Sequence, residues 1–317
     1  MTVTLTSDDV DALGRRTVVG HHDLHTNDLF SDASIAEILE NHPPAQLVAL
    51  TMGTDPTKSS ENERVRHTGV SGNDLLSAVA SGRLWLNVTG VDQVDPRFRS
   101  VVDALYADVG DLYPAVRGIE THATLLVSSP NAIVYFHVDA PSSYLWHIRG
   151  RKRVWVYPAQ DPRVLSKVLL EDVFAGVRQE YVPYEPGFDD LAEAFDLEPG
   201  DVAMWPQNAP HRVTNGGSLN ISLVTDHFTA DGRARARVYK ANRFFRTRFH
   251  VPPNRLSTAS SGFTSVAKVA IHKAGARAHL EPPATSKAHR SPTRFIDPIG
   301  PGLLSPIPNA DPAALES

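Results

Sequence analysis

The sequence predicts a mainly β protein with helices added at both ends, and three observations carry that expectation. Residues 123–157 alternate strand-like runs with turn signals, and residues 198–224 do so again. The flanking regions instead place apolar residues at helical spacing. The chain has 317 residues, 41% hydrophobic and 21% charged, which is ordinary for a globular protein with a sizeable core.

The N-terminal 120 residues read as helical in outline. Ile35, Ile38 and Leu39 form a short stripe that ends at Pro43-Pro44. Leu75, Leu76 and Val79 form a second, started near Ser71–Asn73 and stopped by Gly82. Asp95-Pro96 opens a third, with Phe98, Val101, Val102, Leu105, Tyr106 and Val109 at helical spacing before Gly110. These stripes are expected to pack on the β core.

The core region, 121–230, begins with an apolar run from Ala123, a turn at Ser128–Asn131, and a strand ending at His137-Val138-Asp139. Side chains two apart on a strand share a face, so His137 and Asp139 are expected to point the same way as Ile133 and Tyr135. Tyr144–Ile148, Arg149-Gly150 and 151–157 read as a β-hairpin with Lys152, Val154 and Val156 on one face. A lysine there either reaches water at the rim or lies inside and needs an anion. Residues 163–177 and 189–195 read as helices. Glu198 to Asn215 supplies a Gly turn, a strand, a corner marked by Pro206 and Pro210, and a second strand carrying His211. Leu219–Val224 reads as a further strand.

Two histidines and a carboxylate can hold one face of an Fe(II) ion and leave positions open for a co-substrate and O2. His137, Asp139 and His211 are the candidate set. A second H-x-D stands at His21-His22-Asp23, in a polar stretch without a strand pattern, and is read as coincidence. The absence of cysteine excludes disulfides, zinc fingers and thiol catalysis.

Charge is uneven. Residues 231–295 carry 14 Lys/Arg against 2 acids, whereas residues 1–230 carry 17 against 31. Arg233–Arg248 reads as a basic helix, expected to dock against the acidic core or to form a dimer interface. No recognised nucleic-acid motif accompanies the charge, so nucleic acid is not the expected partner. The 281–317 stretch has eight prolines and little periodicity and is expected to be a disordered tail after a basic helical region at 231–280. The start of the chain lacks a basic and apolar leader pattern, and no apolar run reaches membrane length, so a cytoplasmic location is the expectation.

Together these residues resemble the cupin superfamily, and within it the JmjC-like Fe(II)/2-oxoglutarate oxygenases. Gly200, Pro206, His211 and Asn215 fit the second cupin block, with Asn208 where that pattern has its second glycine. His137 and Asp139 fit the H-x-D of the oxygenase branch, and the specific match covers about residues 123–228. The resemblance implies a double-stranded β-helix, the jelly roll of the cupins, as the core. It implies Fe(II) held by His137, Asp139 and His211. It implies 2-oxoglutarate as co-substrate, gripped by Lys152 thirteen positions after Asp139. Relatives often place a hydroxyl three positions before the first ligand. Here that position is Val134, so Tyr144, Tyr135 and Ser222 are the candidates for the second grip. Tyr135, Trp146, His147, Trp205 and Asn208 are candidate substrate contacts. The implied reaction is hydroxylation of a protein side chain, a peptide or an amino acid. The rival readings are a metal-dependent cupin that uses no 2-oxoglutarate and a non-catalytic binding module.

Overall fold

A computed structural model describes residues 2–178, 182–278, 280, 292, 294–296 and 304–306. The N-terminal part contains β1 (Val3–Thr4), α1 (Ser7–Ala12), β2 (Val18–His22), α2 (Asp32–Asn41), β3 (Leu47–Thr51) and β4 (Glu63–Arg66). It continues with α3 (Gly72–Ser81), β5 (Leu84–Thr89), α4 (Val91–Val94) and α5 (Pro96–Leu112). The three expected helices are α2, α3 and α5, and Ser31, Ser71 and Asp95 cap them through side-chain oxygens. The helical outline omits five strands. LVALT in β3 and LWLNVT in β5 are short, nearly continuous apolar runs, whose periodicity does not distinguish a strand from a helix.

Eight strands follow: β6 (Thr121–Ser128), β7 (Ile133–His137), β8 (Ser142–Arg149), β9 (Lys152–Val156), β10 (Glu193–Leu197), β11 (Asp201–Met204), β12 (His211–Asn215) and β13 (Asn220–His227), with α6 (Lys167–Phe174) between β9 and β10. They divide between two antiparallel arrays. β11, β8, β13 and β6 lie side by side in an eleven-stranded sheet, and β10, β9, β12 and β7 form a four-stranded sheet. Leu145, Val154, Val156, Leu197, Ala203, Trp205, Ala209 and Val213 fill the space between them.

This arrangement corrects two expectations. Tyr144–Ile148 and 151–157 do not pair as a hairpin. β8 pairs with β11 and β13, while β9 pairs with β10 and β12, because the chain crosses from one sheet to the other at Gly150. Gly150 sits at φ +84°, and a Cβ there would lie 2.6 Å from Asn220 Nδ2 and from Leu219 O, so the crossing needs glycine. Residues 189–195 are not a helix either. A 3-10 turn spans Pro186–Leu191 and the chain then enters β10, because tertiary pairing with β9 overrides local preference.

On the other face of the large sheet, Tyr144, Trp146 and Ile148 of β8 pack with Phe98, Val102 and Leu105 of α5. The small sheet is backed by Phe136, Tyr157, Phe174 and Tyr239. Arg212 closes this side. Its guanidinium lies 3.5 Å from the Trp155 ring centroid and 2.5 Å from Asp189.

The basic stretch forms α7 (Ala230–Phe249), followed by α8 (Phe263–Arg277). Arg243 and Arg246 of α7 pair with Asp172 and Glu171 of α6, at 3.1 and 2.7 Å, so part of the basic helix docks on acids of the core. Burial raises the Glu171 carboxyl, and the Arg246 guanidinium counters it. Most of 281–317 lies outside the described residues. Within that span β14 (Arg294–Ile296) pairs in parallel with β4, and β15 (Leu304–Pro306) pairs with β14, which corrects the expectation of disorder at those positions. Among the described residues, no helix is long and apolar enough to cross a membrane.

Candidate metal centre

β7 and β12 pair so that His137 faces His211 across the ladder. The register shifts by one residue between His211 and Val213, a β-bulge that re-aims side chains. Val134, opposite Val213, packs against the interior cluster, while Ile133 and Tyr135 pack with Met52 and Trp85 beside it. Strict alternation therefore assigned Tyr135 wrongly to the face of His137. Tyr135 is 1% exposed and its hydroxyl accepts from Gly53 N at 3.0 Å, which ties it to this neighbouring cluster.

Asp139 follows β7 and meets both imidazoles. Its carboxylate oxygens lie 3.8 Å from His137 Nε2 and 3.5 Å from His211 Nε2, and the two rings are 4.1 Å apart. The three ligand atoms fall within 4.8 Å of one another. Each imidazole is oriented from behind. His137 Nδ1 donates to Tyr135 O at 2.8 Å, and His211 Nδ1 donates to Ala209 O at 3.1 Å. A carbonyl only accepts, so both Nδ1 atoms carry a proton and both Nε2 atoms are turned toward the Asp139 carboxylate. Burial, then the neighbouring His137, holds His211 down to about 4, in the neutral form that binds a cation. The Trp205 ring packs tilted against His211, with centroids 4.4 Å apart, and borders a cavity of about 670 Å³.

The loop holding Asp139 is fixed by the β11–β12 corner. Asn208 Nδ2 donates to Asp139 O at 2.8 Å and to Ala140 O at 3.2 Å, and Gln207 Nε2 donates to Ala140 O at 3.0 Å. Asn208 lies at φ +65°, in the left-handed region that favours glycine and tolerates asparagine. It thus stands where the motif has glycine and adds a clamp that glycine lacks. Asn208→Gly keeps the backbone but loses the clamp, and Asn208→Ala also strains the turn. Metal affinity is expected to fall roughly 10-fold in the first and further in the second, as for other outer partners of metal ligands; calorimetric Mn(II) titration checks the order.

Lys152 enters from β9 on the face of Val154 and Val156 and is 4% exposed. It makes no ion pair or hydrogen bond with any described residue. Burial alone lowers its pKa to about 8. The interior reading of this lysine, not the rim reading, matches its burial. His147 and Ser222 lie across from each other on β8 and β13, both 0% exposed, with His147 Nδ1 and Ser222 Oγ 3.0 Å apart. Both of His147's nitrogens are engaged, Nδ1 with Ser222 Oγ and Nε2 with Gly150 O.

Tyr144 lines the cavity that Trp205 borders, and Trp146 is fully buried. Alternation along β8 sends them to the outer face. There Tyr144 stacks near Tyr106, and Trp146 Nε1 donates to Thr225 Oγ1 at 2.9 Å. The second H-x-D is structural. His21 contacts Asp201 at 2.9 Å, and His22 is buried against Trp146 with Nε2 on Asp201 O at 3.1 Å. Sequence reasoning missed Gln207 and the pairing of His147 with Ser222. The signal was present in β8, where Ser143, Leu145 and His147 alternate with the larger Tyr144, Trp146 and Ile148.

No family model matches the chain, and no curated protein does. Solved structures do. The X-ray structure of Escherichia coli ycfD aligns with a TM-score of 0.51 at 16% identity, over 87% of this chain and 68% of that one. This chain shares its fold with YcfD. A complex of YcfD, a ribosomal oxygenase from Escherichia coli, with cobalt and 2-oxoglutarate aligns with a TM-score of 0.50 at 16% identity, over 87% and 67% of the two chains. Its complex with cobalt and succinic acid aligns equally well.

Proposed function

We propose that this protein is an Fe(II)- and 2-oxoglutarate-dependent oxygenase on a double-stranded β-helix, hydroxylating a protein side chain, a peptide or an amino acid. One observation carries the reading. Two imidazoles and a carboxylate converge at one end of a barrel whose interior holds a buried lysine with no counter-ion among the described residues. The division of eight strands into four in each of two sheets supports the β-helix, and YcfD supplies a fold precedent with cobalt and 2-oxoglutarate bound.

The donor set suits the group. Two imidazoles and one carboxylate fit a divalent first-row metal, and a facial set with open positions suits Fe(II). Bound iron would supply the redox chemistry that couples oxidative decarboxylation of 2-oxoglutarate to oxidation of a substrate C–H bond. The residues of the chain do the rest. Asp139 neutralises one charge of the cation, so a dianionic chelator is still attracted. Tyr135 O and Ala209 O hold the imidazoles in the ligand tautomer. Lys152 offers the distal carboxylate a charge-assisted hydrogen bond, about 1.5–3 kcal/mol. Val134, Val154 and Val213 keep that interior dry.

We further propose residues 121–230 as the catalytic core, 1–120 as its buttress and 231–280 as a helical appendage. The exposure of Phe263 and Val266 on α8 supports pairing of two copies through that appendage. The ferrous site and the lack of cysteine suit the cytoplasm. A cupin that uses no 2-oxoglutarate leaves the solitary Lys152 without a purpose, and a binding module leaves the tautomer-locked ligand set without one.

The test uses pH. Lys152 is charged below about 8 and loses its proton as pH rises through that value. Affinity for 2-oxoglutarate, measured with Mn(II) by calorimetry, is expected to fall above pH 8 in the wild type. It is expected to stay level in Lys152→Arg, because guanidinium keeps its proton. A flat wild-type profile contradicts the assignment.

A further inference from the structure

The deep end of the barrel brings two basic groups together. Lys152 and His147 are 4% and 0% exposed, and no described carboxylate pairs with either. His147 yields the charge. Burial and then the Lys152 ammonium push its pKa down to about 3, so the imidazole is neutral. Its tautomer follows from its neighbours. His147 Nε2 lies 3.0 Å from Gly150 O, which only accepts, so Nε2 carries the proton. Nδ1 is then a lone pair, and Ser222 Oγ donates to it at 3.0 Å.

The Ser222 proton is thereby spoken for, and the oxygen keeps only lone pairs to offer. Ser222 shares the inner face of β13 with Val224, and His147 shares that of β8 with Leu145, so both belong to the interior that Lys152 enters. Val134 provides no hydroxyl on the opposing sheet. An ammonium has three protons and a carboxylate contact uses at most two, so a lysine reaching for an anion still needs an acceptor.

We infer that His147 is a positioning residue for the co-substrate pocket, locking the Ser222 oxygen as an acceptor for the Lys152 ammonium when it grips the distal carboxylate of a C5 dicarboxylate. The inference rests on the 2-oxoglutarate reading above. Gly150 belongs to the same device, because its carbonyl fixes the imidazole and its conformation admits no side chain.

Wild type, Ser222→Ala, His147→Leu, the double variant and His147→Asn are titrated with 2-oxoglutarate in the presence of Mn(II). Mn(II) affinity and thermal unfolding are measured separately. Ser222→Ala and His147→Leu should each raise the Kd for 2-oxoglutarate roughly three- to tenfold, the equivalent of one hydrogen bond. The double variant should be no worse than the weaker single, because both remove one unit. His147→Asn, whose amide oxygen can stand in for Nδ1, should recover affinity close to wild type, and Mn(II) affinity should stay constant throughout. Should His147→Leu fail to fold, Ser222→Ala and His147→Asn still decide. Variants that match the wild type, additive losses, or a parallel loss of Mn(II) affinity overturn the positioning role. A wild type that binds Mn(II) but no 2-oxoglutarate overturns the parent reading and this one with it.

Discussion

Replacing Asp139 by alanine is expected to abolish metal-dependent conversion of 2-oxoglutarate to succinate. Among the described residues Asp139 is the carboxylate that faces both Nε2 atoms, at 3.8 and 3.5 Å. Removing it deletes a ligand and leaves two imidazoles converging on a cation with no anionic donor. Loss of an outer partner of a ligand costs about 10- to 100-fold, so loss of the ligand itself should exceed about 100-fold in metal affinity. Asp23→Ala is the matched control. It changes the acid of the other H-x-D, which lies on a surface turn and whose carboxylate accepts from Thr2 N. Metal affinity and succinate formation measured on both variants should separate cleanly. Equal activity in Asp139→Ala and wild type would refute the ligand assignment.

Lys152→Met is expected to stabilise the ligand-free fold while strongly weakening 2-oxoglutarate binding. Burial lowers this lysine from 10.5 to about 8. Below pH 8 both the folded and the unfolded chain carry the charge, and the fold bears the full penalty of burying it. Between about pH 8 and 10.5 the folded protein has released a proton that the unfolded chain retains, so wild-type stability rises with pH across that window. The shift corresponds to about 3 kcal/mol. Methionine fills a similar volume without charge, so the variant should gain on that order at pH 7 and show no such rise. Chemical denaturation at pH 7 and pH 9 reads both effects. A lysine kept for packing gives the opposite pattern, with stability lost or unchanged and 2-oxoglutarate affinity intact. The buried charge is a local violation of folding preference, the kind that functional sites tolerate.

Much of this site is legible in the sequence because its spacing records strand geometry. His137 and Asp139 are two apart at a strand end, and Lys152 shares parity with Val154 and Val156, so both readings needed only alternation. His211 was legible through the Gly200, Pro206 and Asn215 frame. What alternation cannot reveal is a bulge, and the one between His211 and Val213 moved Val134 inward and Tyr135 aside. Parity also needs an anchor. β8 carries aromatics on one face and Ser143, Leu145 and His147 on the other, and only the partner strands decide which face is interior. The supposed hairpin failed for the same reason, since a Gly turn joins strands in one sheet or in two with the same residues. β3 and β5 were missed because apolar runs of five or six residues carry no period. The clamp by Asn208 was half visible, as an asparagine standing in a glycine position.

The most direct test of the account is an anaerobic titration of the protein with Fe(II) and 2-oxoglutarate, followed by visible absorption. The account predicts a charge-transfer band that saturates at one equivalent of each, is absent in Asp139→Ala, and requires far more 2-oxoglutarate in Lys152→Met. Iron that binds without producing the band at any 2-oxoglutarate concentration would contradict it.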